Sequence, residues 1–357
     1  MLLEKNNIQS TISSMGRGCW GLRINTGSRL SFTLLDLNGE GGRRNGMASL
    51  SIADPHFQAV IYPNSSHKVE LDAESECYRL EIETLIEKIR VKWELPHVHV
   101  IVERGIPAHS GCGSKTTTLL AIARTHTALF GIDVPTSELT QLIGRGGTSG
   151  ASVNLIDRGG YLVDGGHANP DDFHEDPHRY LLPSRYSKPA KKPPVLINLT
   201  FPDWPILLIV TRGIKLHSEV ELNWFKQNVP IPQNEAHRIA HHVFLNLSTA
   251  VAESDYERFC KAVRSITYDQ YFKGKQVALQ PDIVQQMIQG AKNIPVIDAL
   301  GLSVSGPMCF AFTRDPQAAL KWCEEWRRKG AIESYYFTHA RNRAYELSAA
   351  AKNELNI

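Results

Sequence analysis

The sequence predicts an α+β protein with two domains, and three observations support this prediction. Residues 19–62 alternate apolar and polar positions in short runs broken by glycine clusters, a pattern typical of strands and hairpins. Helical and strand patterns then follow one another without a regular βαβ repeat. Proline and positive charge concentrate at residues 183–205, and 357 residues that are 42% hydrophobic can form two cores. We therefore expect one domain over residues 1–190 and a second over 191–357.

The first domain is predicted to place a helix and a strand before its most unusual motif. The charged stretch ECYRLEIETLIEKIRVKWEL is expected to be helical, and HVHVIVERGIP has the pattern of a strand. In the next segment, HSGCGSKTTTLLAIARTHTALFGI, apolar residues recur at helical spacing from Leu119 to Phe130, and Gly131 is a natural helix end. A shorter helix is expected from Thr136 to Gly144, followed by GRGGTSG and then a strand.

The second domain is predicted to begin with the strand ILLIVTRG. Helices are expected over about 234–253 and 256–265, and another begins near Pro281, a residue favoured in the first turn of a helix. The strand SGPMCFAFT then precedes a helix that begins at Pro316 and ends at Gly330, and IESYYFT forms a further strand.

Composition excludes several classes of protein. The chain has 39 Lys and Arg residues against 37 Asp and Glu, so a formal charge of +2 argues against a protein that binds a nucleic-acid backbone, and favours a small-molecule partner. The six cysteines form no CxxC pair, which argues against a zinc ribbon or a dense disulfide framework. The first residues lack the apolar core of a signal peptide, and no run approaches eighteen apolar residues. We expect a cytoplasmic protein without a membrane partner.

The motif Gly111–Thr117, GCGSKTT, is the sharpest chemical feature of the sequence. It stands at the start of a predicted helix, where free backbone N–H groups and a partial positive charge attract anions. Its glycines allow close approach to the backbone, and Ser, Thr and Lys add donors and charge. The spacing is not that of a Walker A loop. A phosphate or diphosphate is the expected guest, and an ordinary glycine turn is the alternative interpretation.

A second glycine-rich stretch runs over Arg145–Gly150, and Asp164-Gly165-Gly166-His167 follows after a strand. Two such loops close together suggest one ligand held from two sides, although a pair of hairpin turns would give the same pattern. Near the N-terminus, SRLSFTLLDLNG contributes Arg29, Asp36 and Asn38, each of which alone would be an ordinary strand residue.

Five segments in order resemble one family: SRLSFTLLDLNG, IPAHSGCGSKTT, GRGGTSGASVNLIDRGGYLVDGGH, FPDWPILLIV and GLSVSGPMCFAFT. That family is β-ribofuranosylaminobenzene 5′-phosphate synthase, a divergent branch of the GHMP kinase superfamily, and the resemblance covers residues 22 to about 340. It implies a GHMP-kinase-like architecture, with an N-terminal α+β domain that carries the glycine loop and a ferredoxin-like C-terminal domain that carries GLSVSGP.

The resemblance also implies an activity. Members of this family condense phosphoribosyl diphosphate with an aromatic amino carboxylate such as 4-aminobenzoate, and they release CO2 and diphosphate as a C-ribosyl bond forms. Related enzymes of C-nucleoside antibiotic pathways use an aminopyrazole dicarboxylate. The usual family motif resembles GLGSGTQ, so Lys115 and Thr117 are departures here, and Lys115 adds a cation.

The implied site joins these segments around one diphosphate-bearing substrate. We expect the diphosphate at Gly111–Thr117 with Mg2+ shared between its oxygens, and catalytic roles for Lys115, Arg145 and His167. Asp36 is the predicted metal ligand. The predicted substrate-binding residues are Ser28, Arg29, Asn38, Gly111, Gly113, Ser114, Thr116, Thr117, Gly146, Gly147, Thr148, Ser149, Asp164, Ser305 and Gly306.

Three alternatives stay open at this point. The chain could be a GHMP small-molecule kinase that binds ATP phosphates in the same loop, because a fold does not determine a function. It could also be a ligand-binding homologue without catalytic activity. His167 could be structural instead of a proton acceptor for the substrate amine. A homodimer is expected because it is the commonest closed assembly.

Overall fold

Two β-sheets organise the computed structural model, which describes residues 20–184, 186–188, 191–215, 218–304 and 306–351. The strands of the first sheet are β1 (Trp20–Asp36), β2 (Arg43–Pro63), β3 (Lys68–Glu70), β4 (Val98–Arg104), β5 (Tyr161–Asp164), β6 (His167–Ala168) and β7 (Val195–Leu199). Those of the second sheet are β8 (Ile206–Thr211), β9 (Ala299–Leu302), β10 (Met308–Phe312) and β11 (Ile332–Thr338), and the last strand, β12 (Glu346–Ala351), returns to the first sheet.

The first sheet is built on the long hairpin of β1 and β2, which confirms the strands predicted over residues 19–62. Its order is β12-β1-β2-β4-β3, with β5 and β6 also paired to β2 and β7 paired to β5. The helices that accompany it are α1 (Arg79–Trp93), α2 (Ser114–Leu129), α3 (Thr136–Leu142) and α4 (Ala151–Arg158). Helix α2 is buried on nearly every side, because small or apolar residues such as Ala121 and Ile122 face both α1 and the hairpin.

The second sheet is antiparallel with the order β11-β8-β10-β9. Its helices are α5 (Ser218–Asn228), α6 (Gln233–His241), α7 (Ser248–Ala252), α8 (Tyr256–Asp269), α9 (Tyr271–Ala278), α10 (Asp282–Ala291) and α11 (Pro316–Arg328). A π-helical turn over residues 242–247 joins α6 to α7. The long helix predicted over about 234–253 is therefore continuous, with a π-helical segment between its two α-helical parts. This strand order, with helices between β8 and β9 and between β10 and β11, confirms the ferredoxin-like prediction.

Aromatic side chains join the two sheets in one hydrophobic core. Phe32 of β1 makes edge-to-face contacts with Phe259 of α8 and Phe310 of β10, with ring centroids 6.0 and 5.4 Å apart. Phe312 and Phe259 approach to 4.8 Å in the same geometry. Such contacts are favourable beyond the area they bury. The loops between the sheets are therefore held by a shared core.

The first sheet includes strands from both sides of the boundary predicted between residues 190 and 191. Strand β7 lies beyond that boundary but pairs with β5, and β12 pairs with β1 from Trp20↔Ala351 to Asn25↔Glu346. The proline-rich segment before β7 is thus a connection within the first sheet. Both strands are hard to predict from sequence. Strand β7 is only five residues long and β12 is rich in alanine, which has a low strand propensity.

A helix occupies part of the segment between Gly150 and Asp164, where the sequence pattern predicts a strand. Helix α4 occupies residues 151–158, and the strand β5 follows only at Tyr161. Val153 and Ile156 are buried one helical turn apart, and this spacing outweighs the strand propensity of β-branched residues. Within the described ranges, no helix is both long and apolar enough to cross a membrane.

Candidate active site

A cavity of about 230 Å³ lies where two glycine loops meet the edge of the second sheet. The first glycine loop, residues 110–113, leads into α2, and the second glycine loop, residues 144–150, leads into α4. Further wall residues come from β1, β2, α5 and the turn before β10. The lining side chains and glycines are Arg29, Leu34, Met47, Tyr78, His109, Gly111, Gly113, Ser114, Lys115, Thr116, Arg145, Gly146, Thr148, Ser149, Ser152, Pro183, Ser184, Glu221, Phe225, Val304 and Gly306.

Hydrogen bonds to its carbonyl groups hold the first glycine loop on the side away from the cavity. The N–H of Arg29 donates to Cys112 O at 3.0 Å, and Ser303 Oγ donates to Gly111 O at 3.0 Å. Gly111 and Gly113 have φ of +91° and +74°, a region that side chains rarely adopt. Cys112 is completely buried. The loop is therefore fixed to both sheets while its other side faces the cavity.

The N-terminus of α2 forms one wall of the cavity. Gly113 is the residue before the helix, and no side chain caps it. The first-turn N–H groups of Ser114, Lys115 and Thr116 have no carbonyl four residues earlier within the helix, so they are available to an anion. The helix dipole adds partial positive charge at the same point. This is the arrangement that the motif Gly111–Thr117 predicts.

The N-terminus of α4 lies beside that of α2. Gly150 precedes α4 and also lacks a side-chain cap. A Cβ placed on Gly113 would stand only 2.4 Å from Ser152 Oγ, so the first loop and the first turn of α4 are in direct contact. Ser152 Oγ is buried and has no hydrogen-bond partner among the described residues. Two helix N-termini thus open on one cavity, which favours a ligand with more than one anionic group.

Three basic residues complete this positive site. Arg145 Nε donates to Thr116 Oγ1 at 3.0 Å and so connects the two loops. Lys115 Nζ is paired with Glu81 of α1 and lies 5.8 Å from the ring centroid of Tyr78. Arg29 Nη2 donates to Gly111 O at 3.3 Å. Burial lowers the pKa of Arg29 to about 10, so its guanidinium stays charged at neutral pH.

Two carboxyl groups near the loops have altered pKa values. Burial raises the pKa of Glu221, on the cavity wall, to about 7, although the positive charge of Arg145 opposes the shift. Burial also raises the pKa of Asp164 to about 7; its Oδ1 accepts the Gly166 N–H at 3.0 Å, and its side chain lies behind the wall. Both groups are therefore partly protonated near neutral pH.

Known proteins resemble this chain in sequence as well as in fold. A family model described as GHMP kinases C terminal matches residues 247–332. β-Ribofuranosylphenol 5′-phosphate synthase from Archaeoglobus fulgidus is 31% identical over 328 residues, which span 91% of this chain and 99% of that protein. The protein of the same name from Methanocaldococcus jannaschii is 28% identical over 336 residues, again 91% and 99%.

The chain belongs to the β-ribofuranosylphenol 5′-phosphate synthase family. It is therefore an enzyme of the pentosyltransferase type, and the resemblance drawn from the five sequence segments is confirmed. Solved structures agree on the fold: homoserine kinase from Cytophaga hutchinsonii has a TM-score of 0.63 at 12% identity and covers 94% of this chain and 99% of its own. The homoserine kinase of Listeria monocytogenes has a TM-score of 0.59 at 14% identity, with 92% and 99% covered.

The structure of this synthase family member gathers most of the predicted residues at the cavity. On its wall are Arg29, Gly111, Gly113, Ser114, Lys115, Thr116, Arg145, Gly146, Thr148, Ser149 and Gly306. Other predicted residues lie off the wall, namely Ser28, Asp36, Asn38, Thr117, Gly147, Asp164 and His167. Ser305 lies outside the described residues.

Asp36 and Asn38 build a turn instead of a ligand site. Asp36 Oδ1 accepts the N–H groups of Asn38 and Gly39, each at 2.8 Å. Asn38 Nδ2 donates to Ile231 O at 2.7 Å. Because Asp and Asn favour such local hydrogen bonds to the backbone, the segment DLNG forms a turn that contacts the second half of the chain. The structure therefore does not place the metal ligand predicted at Asp36 on the cavity wall.

His167 supports the second glycine loop from outside the cavity. Its Nε2 lies 2.9 Å from Gly146 O, and burial lowers its pKa, so the neutral ring is favoured. Thr148, on the same glycine loop, contacts Leu182 O and Ser187 Oγ of the connection before β7 through its Oγ1, both at 2.8 Å. His167 is thus placed where it can position Gly146, and its predicted catalytic role stays a prediction.

Several wall residues are not among those predicted from the sequence. Tyr78 donates or accepts a hydrogen bond with Ser114 Oγ at 2.8 Å, and burial raises its pKa to about 12. Glu221 and Phe225 come from α5, and His109 directly precedes the first loop. Only His109 could have been found, from its place in the segment AHSGCG. The others reach the cavity through tertiary packing that no local pattern signals.

Proposed function

We propose that this chain is a phosphoribosyl-diphosphate-dependent, decarboxylating C-ribosyltransferase that joins ribose 5-phosphate to an aromatic carboxylate. The observation that carries the proposal is the pair of uncapped helix N-termini that open on one cavity beside Arg29, Lys115 and Arg145. Phosphoribosyl diphosphate has two separate anionic groups, a diphosphate and a 5-phosphate, and such groups bind at helix N-termini. The names of the curated relatives support the same substrate class.

In this proposal the diphosphate lies at the N-terminus of α2. The N–H groups of the first turn and Lys115 would stabilise the negative charge that develops on the leaving group. The 5-phosphate lies at the second glycine loop and the start of α4, where Ser149, Ser152 and Arg145 offer donors. An arginine can bind a phosphate through two parallel hydrogen bonds.

The reaction needs no enzyme nucleophile. The bond between C1 of the ribose and the diphosphate oxygen breaks, and its electron pair leaves with the diphosphate. The ring carbon of the acceptor that bears the carboxylate forms the new bond to C1. The carboxylate then leaves as CO2, and the electron pair of the broken C–C bond restores the aromatic ring. The site must therefore hold two substrates in line and exclude water.

Apolar wall residues provide a place for the aromatic acceptor. Leu34, Met47 and Phe225 line the cavity beside the charged loops, and Tyr78 adds a second aromatic ring. The relatives are named for a phenol product, which corresponds to a hydroxybenzoate acceptor, whereas 4-aminobenzoate is the acceptor that the sequence resemblance implies. Either substituent donates electrons to the ring, so both acceptors fit this chemistry.

Mg2+ fits the donors that the wall presents, and it is part of this proposal. Mg2+ in phosphate sites uses one or two carboxylates together with substrate oxygens. Glu221 offers a carboxylate on the wall, and Ser114 and Thr116 offer hydroxyl groups. These residues would hold the ion, which supplies positive charge to the diphosphate. The Glu221 carboxyl ionises near pH 7, and a bound cation would favour its charged form.

The direct test uses 4-aminobenzoate and 4-hydroxybenzoate, each with a 14C-labelled carboxyl group, together with phosphoribosyl diphosphate and Mg2+. We expect labelled CO2 and diphosphate in equal amounts, released only when phosphoribosyl diphosphate is present. An aminopyrazole dicarboxylate forms a third arm. Failure of all three acceptors in a folded protein that phosphoribosyl diphosphate still stabilises against heat would reject the acceptor class.

The site assignment has its own control. Lys115→Ala should raise the KM for phosphoribosyl diphosphate by about 10-fold or more, because a charge-assisted contact to the diphosphate is lost. Lys321→Ala, on the exposed face of α11, removes an equal charge away from the cavity and should change nothing. If both variants have the same KM for phosphoribosyl diphosphate, the diphosphate does not bind at Lys115. If the protein instead phosphorylates an alcohol with ATP, the proposed reaction class is wrong.

A further inference from the structure

His67, Glu87 and His97 form a cluster of metal-ligating side chains outside the cavity. One ligand atom from each lies within 4.8 Å of the other two. Glu87 is in α1, His67 directly precedes β3, and His97 directly precedes β4. Strands β3 and β4 are parallel neighbours, so their starting residues come together at one edge of the sheet. None of these residues has a part in the proposed ribosyl transfer.

One nitrogen atom of each imidazole ring lies within 4.8 Å of a Glu87 carboxylate oxygen. His67 Nε2 lies 3.1 Å from Glu87 Oε2, the Val98 N–H donates to His67 Nδ1 at 3.2 Å, and Val98 O lies 3.5 Å from the same Nδ1. His97 Nδ1 is buried without a hydrogen-bond partner among the described residues. The ring centroids of His67 and His97 are 4.6 Å apart, with the planes nearly perpendicular.

An unsatisfied buried ring nitrogen is unusual and needs an explanation such as an ion. We propose that His67, Glu87 and His97 bind one divalent transition-metal ion of the Zn2+ class, with a water molecule in the fourth position. Two imidazoles and a carboxylate are ligands that Zn2+ accepts at tetrahedral sites. Hard ions such as Mg2+ prefer sites made of oxygen ligands, whereas two of the three ligands here are imidazole nitrogens.

The geometry requires only small movements to close around the ion. Bonds of about 2.0–2.1 Å to a tetrahedral Zn2+ place the ligand atoms roughly 3.4 Å apart, so no separation must shorten by more than about 1.4 Å. Rotation of the partly exposed side chains can supply this. When His67 binds the ion through Nε2, the ring proton must lie on Nδ1, so the hydrogen bond that the Val98 N–H donates to Nδ1 at 3.2 Å is lost. A small shift of the ring then lets Nδ1 donate to Val98 O, 3.5 Å away, the kind of outer contact that orients metal-binding histidines.

Arg90 keeps Glu87 ionised and also competes with the ion. Hydrogen bonds from Arg90 at 2.7 and 2.9 Å lower the pKa of Glu87 to about 2. A carboxylate has further lone pairs on both oxygens, so the metal and the guanidinium can share it. The ion would connect α1 to the starts of β3 and β4. The same helix carries Glu81 in its first turn, the partner of Lys115 at the cavity, so the metal would brace one wall of the active site.

The test measures metal binding itself, with purified full-length protein freed of metal by a chelator. Titration with Zn2+ should saturate at one equivalent and raise the melting temperature. Co2+ should give visible absorption bands of a low-coordinate nitrogen and oxygen site, without the near-ultraviolet band of a cobalt thiolate. His97→Gln should weaken binding by at least about 10-fold, and Glu87→Gln, which keeps an acceptor for Arg90, should do the same.

Two control variants separate this site from adventitious binding. His237→Gln removes an exposed histidine from α6, and Cys77→Ser removes the exposed thiol, and neither should change affinity. Each variant is checked for native circular dichroism, and His67→Gln replaces any that fails to fold. The proposal is overturned if no binding saturates at one equivalent, if His97→Gln and Glu87→Gln bind as tightly as the wild type, or if Cys77→Ser abolishes binding.

Discussion

The two glycine loops look alike in sequence but are held in different ways. Each leads into a helix without a side-chain cap, and both line the cavity. Main-chain carbonyls tie the first loop to β1 and to Ser303. Side chains hold the second: Thr148 contacts Leu182 and Ser187, and Asn154 Nδ2 donates to Pro193 O at 3.1 Å.

Because the two loops are held differently, one cavity can combine a rigid and an adaptable anion site. The contacts of the first loop come from strands of both sheets and from the shared core, so its position is determined by the whole fold. Those of the second loop come from the irregular connection before β7 and from His167, at the start of the two-residue strand β6. We infer that the first loop suits the group whose geometry controls bond breaking, the diphosphate, and that the second suits the 5-phosphate.

The largest effect is expected from Gly113→Ala in the first loop. The new Cβ would meet Ser152 Oγ at 2.4 Å in a backbone with φ of +74°. We expect kcat/KM to fall by at least about 100-fold, which corresponds to roughly 2.7 kcal/mol in the activation free energy.

Gly131→Ala is the matched control for that variant. Gly131 has φ of +76°, but nothing lies within 4 Å of an added Cβ. It should lose about 1–2 kcal/mol of stability through backbone strain alone and keep its activity. Steady-state kinetics and urea unfolding separate the two, and similar activity in both variants would mean that the contact with α4 is unimportant.

Arg145→Met should have the next largest effect. The side chain connects Thr116 to the second loop and faces the cavity, so its loss removes a charge-assisted contact to the substrate. We expect the KM for phosphoribosyl diphosphate to rise by about 10–100-fold with little change in melting temperature. Arg212→Met, an exposed arginine after β8, provides the comparison, and an unchanged KM in Arg145→Met would remove this residue from the site.

Gly147→Ala tests whether the second loop is adaptable. Its Cβ would meet Ser187 O at 2.4 Å, a contact as short as the one at Gly113, but without a positive φ. Because Ser187 lies in an irregular segment, we expect that segment to shift and kcat/KM to fall by no more than about 10-fold. A loss equal to that of Gly113→Ala would show that the two loops are equally rigid.

The smallest effect concerns stability beneath the second loop. Burial raises the pKa of Asp164 to about 7 from an ordinary value near 4, so between these values the folded state retains a proton that the unfolded state has lost. The contribution of Asp164 to stability therefore falls as pH rises from about 4 to 7, by about 1.4 kcal/mol per pH unit at most. Asp164→Asn lacks this dependence. In urea unfolding from pH 4.5 to 7.5, the free energy of unfolding of the variant should rise relative to that of the wild type. A difference in unfolding free energy that does not change with pH would contradict the assignment.

Local patterns in the sequence were enough to predict the first loop and the helix that follows it. Glycine at a positive φ, a helix start with free N–H groups and apolar spacing from Leu119 onward are all properties of neighbouring residues. The strand order of the second sheet followed from the family resemblance and was confirmed.

Residues that reach the site through tertiary packing could not be predicted in this way. Glu221 stands in an amphipathic helix like many others, and only the packing of α5 brings it to the cavity. Ser152 was not predicted as a site residue because α4 has β-branched residues that favour a strand locally, so no helix start was expected there. Asp36 and Asn38 carried the right chemistry for a ligand site but satisfy their own turn. His67, Glu87 and His97 match no spacing motif, because three separate elements bring them together.

The pairing of β1 with β12 also has a consequence for the order in which the molecule can be assembled. During synthesis β1 emerges first, and its partner along Trp20–Asn25 emerges only after both glycine loops and the whole second sheet have been made. Until then β1 presents an unpaired edge, which is a template for association with other chains. Such a distant contact also slows folding. The nascent chain is therefore expected to need protection of that edge until β12 leaves the ribosome.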